Sequence, residues 1–185
     1  MGKTRRYDRR IEIMKSGTHK TSSLFCLLAV MMFSLSSCKF NSNYQGRGDD
    51  GLQGSWIEES VPYEKDLLHY SLHEFEFTCD SVYITIKTFA KSQILPDPCY
   101  QQGTWKEYAK GVYIIRGDSL LIEATYTHEN WKQKLTGCYH IGQYLPHFKI
   151  IKQTTDSLYL ENRHSHIPTA LRKTKTTTCI PKIVY

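Results

Sequence analysis

No apolar run in this 185-residue chain approaches the roughly 20 residues that a membrane-spanning helix needs. The longest is the stretch from Leu24 to Leu35, so a permanent helical anchor is not expected. None of the six cysteines forms a C-x-x-C pair, the spacing that would favour a zinc site. Past residue 51 there is no convincing 3.6-residue periodicity, which argues against a helical domain. A charge surplus is missing where it would matter. The net charge is +6, from 24 Lys and Arg against 18 Asp and Glu. Seven of those basic residues and two of the acidic ones fall within residues 1–37, leaving 17 against 16 and a net of +1 for residues 38–185. No basic stripe interleaved with aromatics remains there, so no nucleic-acid partner is expected.

What the N-terminal stretch does contain is an address. Lys3, Arg5, Arg6, Arg9, Arg10, Lys15 and Lys20 precede the apolar run, and Leu35-Ser36-Ser37-Cys38 follows at its end. A basic region, an apolar region of this length and small residues before a cut are the marks of a secretory signal. A start at Met14 in place of Met1 would leave a basic region of ordinary length. The four residues ending at Cys38 resemble a bacterial lipobox, in which the cysteine thiol becomes a thioether to diacylglycerol and the new N-terminus is acylated, typically with palmitate. A cut without lipid is the alternative; Leu at −3, Ser at −2 and −1 and Cys at +1 favour lipidation. Several acyl chains, at about 0.8 kcal/mol per buried CH₂, hold a protein on a bilayer where one would do so only reversibly. The expected partner of Cys38 is therefore the lipid bilayer. Lys39 at +2 is not the aspartate that retains some Gram-negative lipoproteins at the inner membrane, which points to the outer membrane of the envelope.

The resulting plan has three parts: a signal peptide over 1–37, a lipidated flexible tether over 38–51, and one domain over 52–185. The tether reading rests on the polar, glycine-bearing run Lys39 to Gly51. The 148 residues after the cut suffice for one domain with a real core. Cys79, Cys99, Cys138 and Cys179 remain after Cys26 leaves with the signal and Cys38 takes lipid. An even count in an exported chain predicts two disulfides, with the three connectivities left open.

The domain reads as a succession of strands. His73, Phe75 and Phe77 share one strand face and Glu74 and Glu76 the other. Val82, Ile84 and Ile86 alternate with Tyr83, Thr85 and Lys87, and Leu120, Ile122, Ala124 and Tyr126 alternate with Leu121, Glu123, Thr125 and Thr127. Further segments near 54–60, 100–109, 112–116, 137–144, 147–153, 157–162 and 169–175 bring the expectation to about ten short antiparallel strands, a sandwich or barrel. Two internal echoes support it. Gln53-Gly54-Ser55-Trp56 recurs as Gln102-Gly103-Thr104-Trp105. Asp80-Ser81, Asp118-Ser119 and Asp156-Ser157 recur at a spacing of 38 and each precedes an apolar strand. Asp and Ser bond nearby backbone N–H groups, so these pairs predict turns. Three copies are too few to close a propeller.

The Gly-x-Trp that opens the first strand, the antiparallel strands after it and a mature length near 150 resemble the lipocalin-like family, small lipoproteins of Gram-negative envelopes included. The resemblance covers about 52–175, and the helix that family members carry beside the barrel has no counterpart in the strand pattern. It implies a lipocalin-like β-barrel in which Trp56 plugs one end and the interior holds an apolar ligand. Trp56, Phe75, Phe77 and Trp105 are then the ligand-cavity candidates.

Catalytic and metal readings are weaker. Gly117-Asp118-Ser119-Leu120 resembles the nucleophile motif of the GDSL esterases, whose serine needs a positioned base. No Asp-x-x-His follows, and Glu161-Asn162-Arg163-His164 is the nearest imitation. His69 with His73, and His164 with His166, share strand parity and could each face an ion, but no acidic cluster completes either set. The expectation is a non-catalytic binding domain without metal or cofactor, taking a small apolar ligand. The alternative is a protein interaction module, an envelope assembly factor or inhibitor, and the remote one a GDSL-type esterase. The 13 tyrosines and three tryptophans suit a cavity or a partner surface, with ordinary β-core packing as the plainer account.

Overall fold

The computed structural model describes residues 45–163 and 167–183. The signal segment, Cys38, the first part of the tether, His164 and His166 lie outside the described residues. The described chain is all-β. Its first five strands are β1 (Gly54–Glu58), β2 (His69–Thr78), β3 (Ser81–Ala90), β4 (Thr104–Arg116) and β5 (Ser119–Thr127). The last four are β6 (Gln143–Tyr144), β7 (His147–Gln153), β8 (Ser157–Asn162) and β9 (Pro168–Lys175). Every pairing is antiparallel, and each of β1, β2, β3, β4, β5, β7, β8 and β9 pairs with the next. β9 returns to β1, so eight strands close a barrel, and the two-residue β6 adds to β5. Closure leaves no long edge for another chain to pair with.

The inward faces are those the alternation predicts. Phe75 and Phe77 on β2, Val82, Ile84 and Ile86 on β3, and Leu120, Ile122, Ala124 and Tyr126 on β5 are buried and join one core. Trp56, Leu158, Leu160, Leu171 and Phe148 complete it from the other strands. Each large apolar side chain taken fully out of water is worth about 1.5–3 kcal/mol, so this interior is the main stabilising mass of the fold.

The three Asp-Ser pairs prove to be one turn used three times. Ser81, Ser119 and Ser157 each begin a strand, and each hydroxyl donates to the preceding aspartate, at 3.4, 3.3 and 3.2 Å. The carbonyls of Asp80, Asp118 and Asp156 accept the N–H groups of Tyr113, Ile150 and Lys173 on the adjoining strands. These turns stand at one end of the barrel, the floor. The floor also holds the second half of the expected tether. Gln45 N–H donates to Lys182 O, its side chain bonds Thr78 O and Ser81 Oγ, and Asp49 N–H donates to the Tyr113 hydroxyl. Residues 45–51 are therefore fastened to the domain, which corrects the placing of the domain's start at 52.

Two strand expectations are corrected. Segments 100–109 and 112–116 are one 13-residue strand, β4, preceded by a single 3-10 turn at Gln101–Gly103. Gly111 reads as a break in sequence but marks a close approach, since a Cβ there would lie 2.0 Å from Glu123 O on β5. Of 137–144, only Gln143 and Tyr144 are strand, because Gly137, Tyr139 and Gly142 take positive φ and cannot extend. The described residues hold nine strands, in keeping with the expected number of about ten.

Candidate functional site

The two ends of the barrel are built from the same sequence device and differ in filling. Gly54 and Gly103 both take positive φ where their strands begin, with carbonyls of Lys175 and Ala90 where a Cβ would stand. Each sends the tryptophan two residues on to the interior. β1 rises from the floor and β4 descends from the opposite end, so Trp56 lands in the floor and Trp105 in the mouth.

In the floor the barrel interior is packed. Trp56 is fully buried, and its Nε1–H donates to Leu52 O at 2.8 Å. Gln53, which no sequence pattern singled out as structural, is a buried hub. Its amide nitrogen donates to Cys79 O and the Tyr113 hydroxyl at 2.9 Å, and its oxygen accepts the Cys79 N–H at 2.7 Å. Burial pushes the Tyr113 hydroxyl up to about 12. Cys79 is bonded to Cys179, which ties the chain after β9 to the β2–β3 turn. Phe77 meets Tyr113 edge-on at 4.8 Å, and Phe75 stacks beside Phe77 at 5.8 Å. The expectation of a hollow interior lined by Trp56, Phe75, Phe77 and Trp105 is corrected to this extent. The first three fill the barrel with their own rings, and of the four only Trp105 lines the mouth cavity.

That cavity is about 610 Å³, within the range of small-molecule pockets, and opens between the strand ends at His69, Thr88, Trp105 and Tyr126. An adjoining hollow of about 260 Å³ shares His69, Ser71 and His73 with it and continues to Glu58, Phe148 and Thr169. The walls combine Ile86, Ile94 and Leu95 with four aromatics, Trp105, Tyr126, Tyr139 and Tyr144. Trp105 stacks on Tyr139 at 5.3 Å, and Tyr126 stacks on His140 at 5.2 Å and contacts Tyr144 at 5.3 Å. Burial first, and Glu107 second, pushes the Tyr126 hydroxyl up to about 12. Burial drives Tyr144 up as well, with Tyr126, Glu107 and Glu58 adding to it. These phenols are neutral at ordinary pH. Among the described residues, the buried Tyr139 Oη finds no hydrogen-bond partner.

Two carboxylates stand in these walls, held in the same way. The β1–β2 ladder ends at Ile57–Glu74, and the next amide, His73 N–H, donates to Glu58 Oε2 at 3.1 Å. The same oxygen meets His73 Nδ1 at 2.7 Å. Across the mouth, Glu107 Oε1 accepts the His140 N–H at 2.9 Å and meets His140 Nδ1 at 2.8 Å. The Glu58 and Glu107 side chains are 1% and 5% exposed. A backbone N–H can only donate, so each of these oxygens accepts the amide of the histidine whose Nδ1 it also meets. Sequence parity could have found half of this: Glu58 shares the inward face of Trp56, Glu107 that of Trp105, and His73 that of Phe75. His140 lies in a loop, where no periodicity tells which way it points.

The second disulfide belongs to the mouth. Cys99–Cys138 joins the β3–β4 loop, which brings Ile94 and Leu95, to the loop after β5, which brings Tyr139 and His140. Among the described residues, which leave out His164 and His166, no group of three His, Cys, Asp or Glu is placed to hold a metal ion. Ser119 lies in a separate open depression of about 450 Å³ with Asp118 and His147. Its hydroxyl donates to Asp118, as its counterparts do in the other two turns. The strands around it are all antiparallel.

Compared with known proteins, the chain matches no family model, no curated protein and no solved structure.

Proposed function

We propose that this barrel is a binding protein for a small ligand with an apolar body, held at an envelope membrane, the outer in preference to the inner, through lipidated Cys38. The observation that carries the binding half is the aromatic-walled mouth cavity of about 610 Å³ above a packed floor. Pockets of this kind, mostly apolar with a few placed polar groups, are the usual sites of small ligands. The neutral probe 4-phenylbutanol, titrated calorimetrically into the full chain, should bind and lose about tenfold in affinity, or about 1.4 kcal/mol, in Trp105→Ala. Absence of binding, or binding indifferent to Trp105, would overturn the reading. The anchoring half rests on Leu35-Ser36-Ser37-Cys38 after the apolar run. Radioactive palmitate should label the wild type and not Cys38→Ala; equal labelling of the two contradicts it.

A second reading, a protein interaction module, has its own observation. Tyr63, Leu68, Ile94, Leu135, Ile141 and Leu145 are exposed apolar residues on the segments that surround the mouth. A photo-crosslinker in place of Leu135 would form one defined adduct in whole cells if this rim meets a partner, and none if the rim only frames a ligand.

A further inference from the structure

We infer that the mouth selects a cationic ligand, an ammonium group carried on an apolar body, an inference that rests on the mouth being the ligand site. The walls offer acceptors and aromatic faces. Glu58 and Glu107 contribute two buried carboxylates, each held by a histidine Nδ1, at 2.7 Å from His73 and 2.8 Å from His140. Ser71 and Thr88 spend a hydroxyl proton on each other, their oxygens 2.8 Å apart. Among the described residues neither Lys nor Arg lines the cavity or its adjoining hollow, in a chain that carries 24 of them. Two buried carboxylates with no lysine or arginine beside them in the lining bias the mouth towards a cation.

An anionic ligand, such as a fatty acid, would bring its charge to a lining that holds two buried carboxylates and, among the described residues, no lysine or arginine. Burial raises the cost of that repulsion, because the low dielectric of a closed cavity screens little. An ammonium gains from the carboxylates and from the faces of Trp105, Tyr126 and Tyr144, whose ring quadrupoles attract cations; aromatic cages for quaternary ammonium groups work in this way. The Tyr139 ring is already engaged, stacked on Trp105 and holding a cation of the chain itself. Lys134 Nζ stands 5.2 Å over the Tyr139 ring and bonds Cys138 O, outside the lining. The apolar body has its place against Ile86, Ile94 and Leu95.

The test compares three probes with one body and three charges: 4-phenylbutylammonium, 4-phenylbutanol and 4-phenylbutyrate, titrated calorimetrically into the full chain with both disulfides intact. The ammonium should bind at least about tenfold tighter than the alcohol, and the butyrate more weakly than either. Glu107→Gln and Glu58→Gln keep an acceptor oxygen for the histidine and remove the charge. Each should weaken ammonium binding about tenfold and leave the alcohol unchanged. The wild-type comparison needs no variant to fold. Butyrate binding as tightly as ammonium, or ammonium affinity unmoved in both glutamine variants, overturns the cationic preference and leaves the binding site standing if the alcohol still binds. Failure of all three probes overturns both.

Discussion

The floor and the mouth of this barrel start from the same four-residue pattern and end in opposite states. Gln53-Gly54-Ser55-Trp56 closes one end: the glutamine becomes a buried hydrogen-bond hub and the tryptophan is sealed under it. In Gln102-Gly103-Thr104-Trp105 the glutamine is exposed, and the tryptophan faces a cavity lined with carboxylates, histidines and phenols. Each end has a disulfide of its own. The lesson is that a shared motif sets backbone entry, a positive-φ glycine followed by an inward tryptophan, while the neighbours decide whether the place is packed or open. At the floor the neighbours are Phe77, Tyr113 and the chain around Cys179. At the mouth they are two Glu–His pairs, which fill less space and bring charge.

The largest expected contrast comes from the disulfides. Cys79–Cys179 closes 100 residues and Cys99–Cys138 closes 39, so chain entropy alone assigns them about 4.7 and about 4 kcal/mol. The double variant Cys79→Ser, Cys179→Ser should lower the melting temperature more than Cys99→Ser, Cys138→Ser. Only the second pair should loosen probe binding, because it frees the loops that carry Leu95 and Tyr139. Equal loss of binding from both would erase the distinction between the ends.

Tryptophan truncation sharpens the same contrast. Trp56→Ala empties a fully buried site and should cost about 3–5 kcal/mol in denaturant unfolding. Trp105→Ala removes a wall of an existing cavity and should cost clearly less while weakening the probe. A Trp105 variant as unstable as the Trp56 one would mean that the mouth is part of the packed core.

Alkaline pH attacks both ends through their tyrosines. Tyr113 in the floor and Tyr126 in the mouth have phenols pushed up to about 12 from an ordinary value of 10.0. A raised folded-state value means that the unfolded chain gives up these protons first. The associated stability is complete below pH 10 and is lost as pH rises towards 12, on the order of 2–3 kcal/mol for each phenol by the upper limit. Stability followed by denaturant titration between pH 9 and 12 should fall in that window, and Tyr113→Phe should flatten part of the fall. A curve that is flat to pH 12 contradicts the burial.

The smallest effects belong to the repeated turns. Ser81→Ala, Ser119→Ala and Ser157→Ala each remove one hydroxyl bond to an aspartate and should cost a few tenths to about 1 kcal/mol. Ester hydrolysis that vanished in Ser119→Ala alone would set that turn apart from the other two.

Much of the fold was legible because its signals are local. Alternation placed Phe75, Phe77, Val82, Ile84, Leu120 and Ile122 inward, and Asp-Ser at a spacing of 38 marked three turns. The even cysteine count announced two bridges, but which cysteines meet depends on which loops share an end of the barrel. Gly111 misled because a missing Cβ can mean either a break or a close approach. The site was half legible. Glu58, His73 and Glu107 sit at inward parity, yet a charged residue at an inward position looks like an error until its partner across the strands is known. His140 reaches Glu107 from a loop held by Cys99–Cys138, and no periodicity reports that.

If the mouth is the ligand site, the floor should take no ligand. The chain has three tryptophans, Trp56 in the floor, Trp105 in the mouth and Trp131 on the outer face beside Tyr83 and Tyr108. Their indole N–H signals can be followed separately by nitrogen-15 NMR while 4-phenylbutanol is added to the full chain. The Trp105 signal should move with saturation, with Trp56 and Trp131 unmoved. A saturating shift at Trp56 with Trp105 unchanged would place the ligand in the floor and contradict the mouth as the binding site.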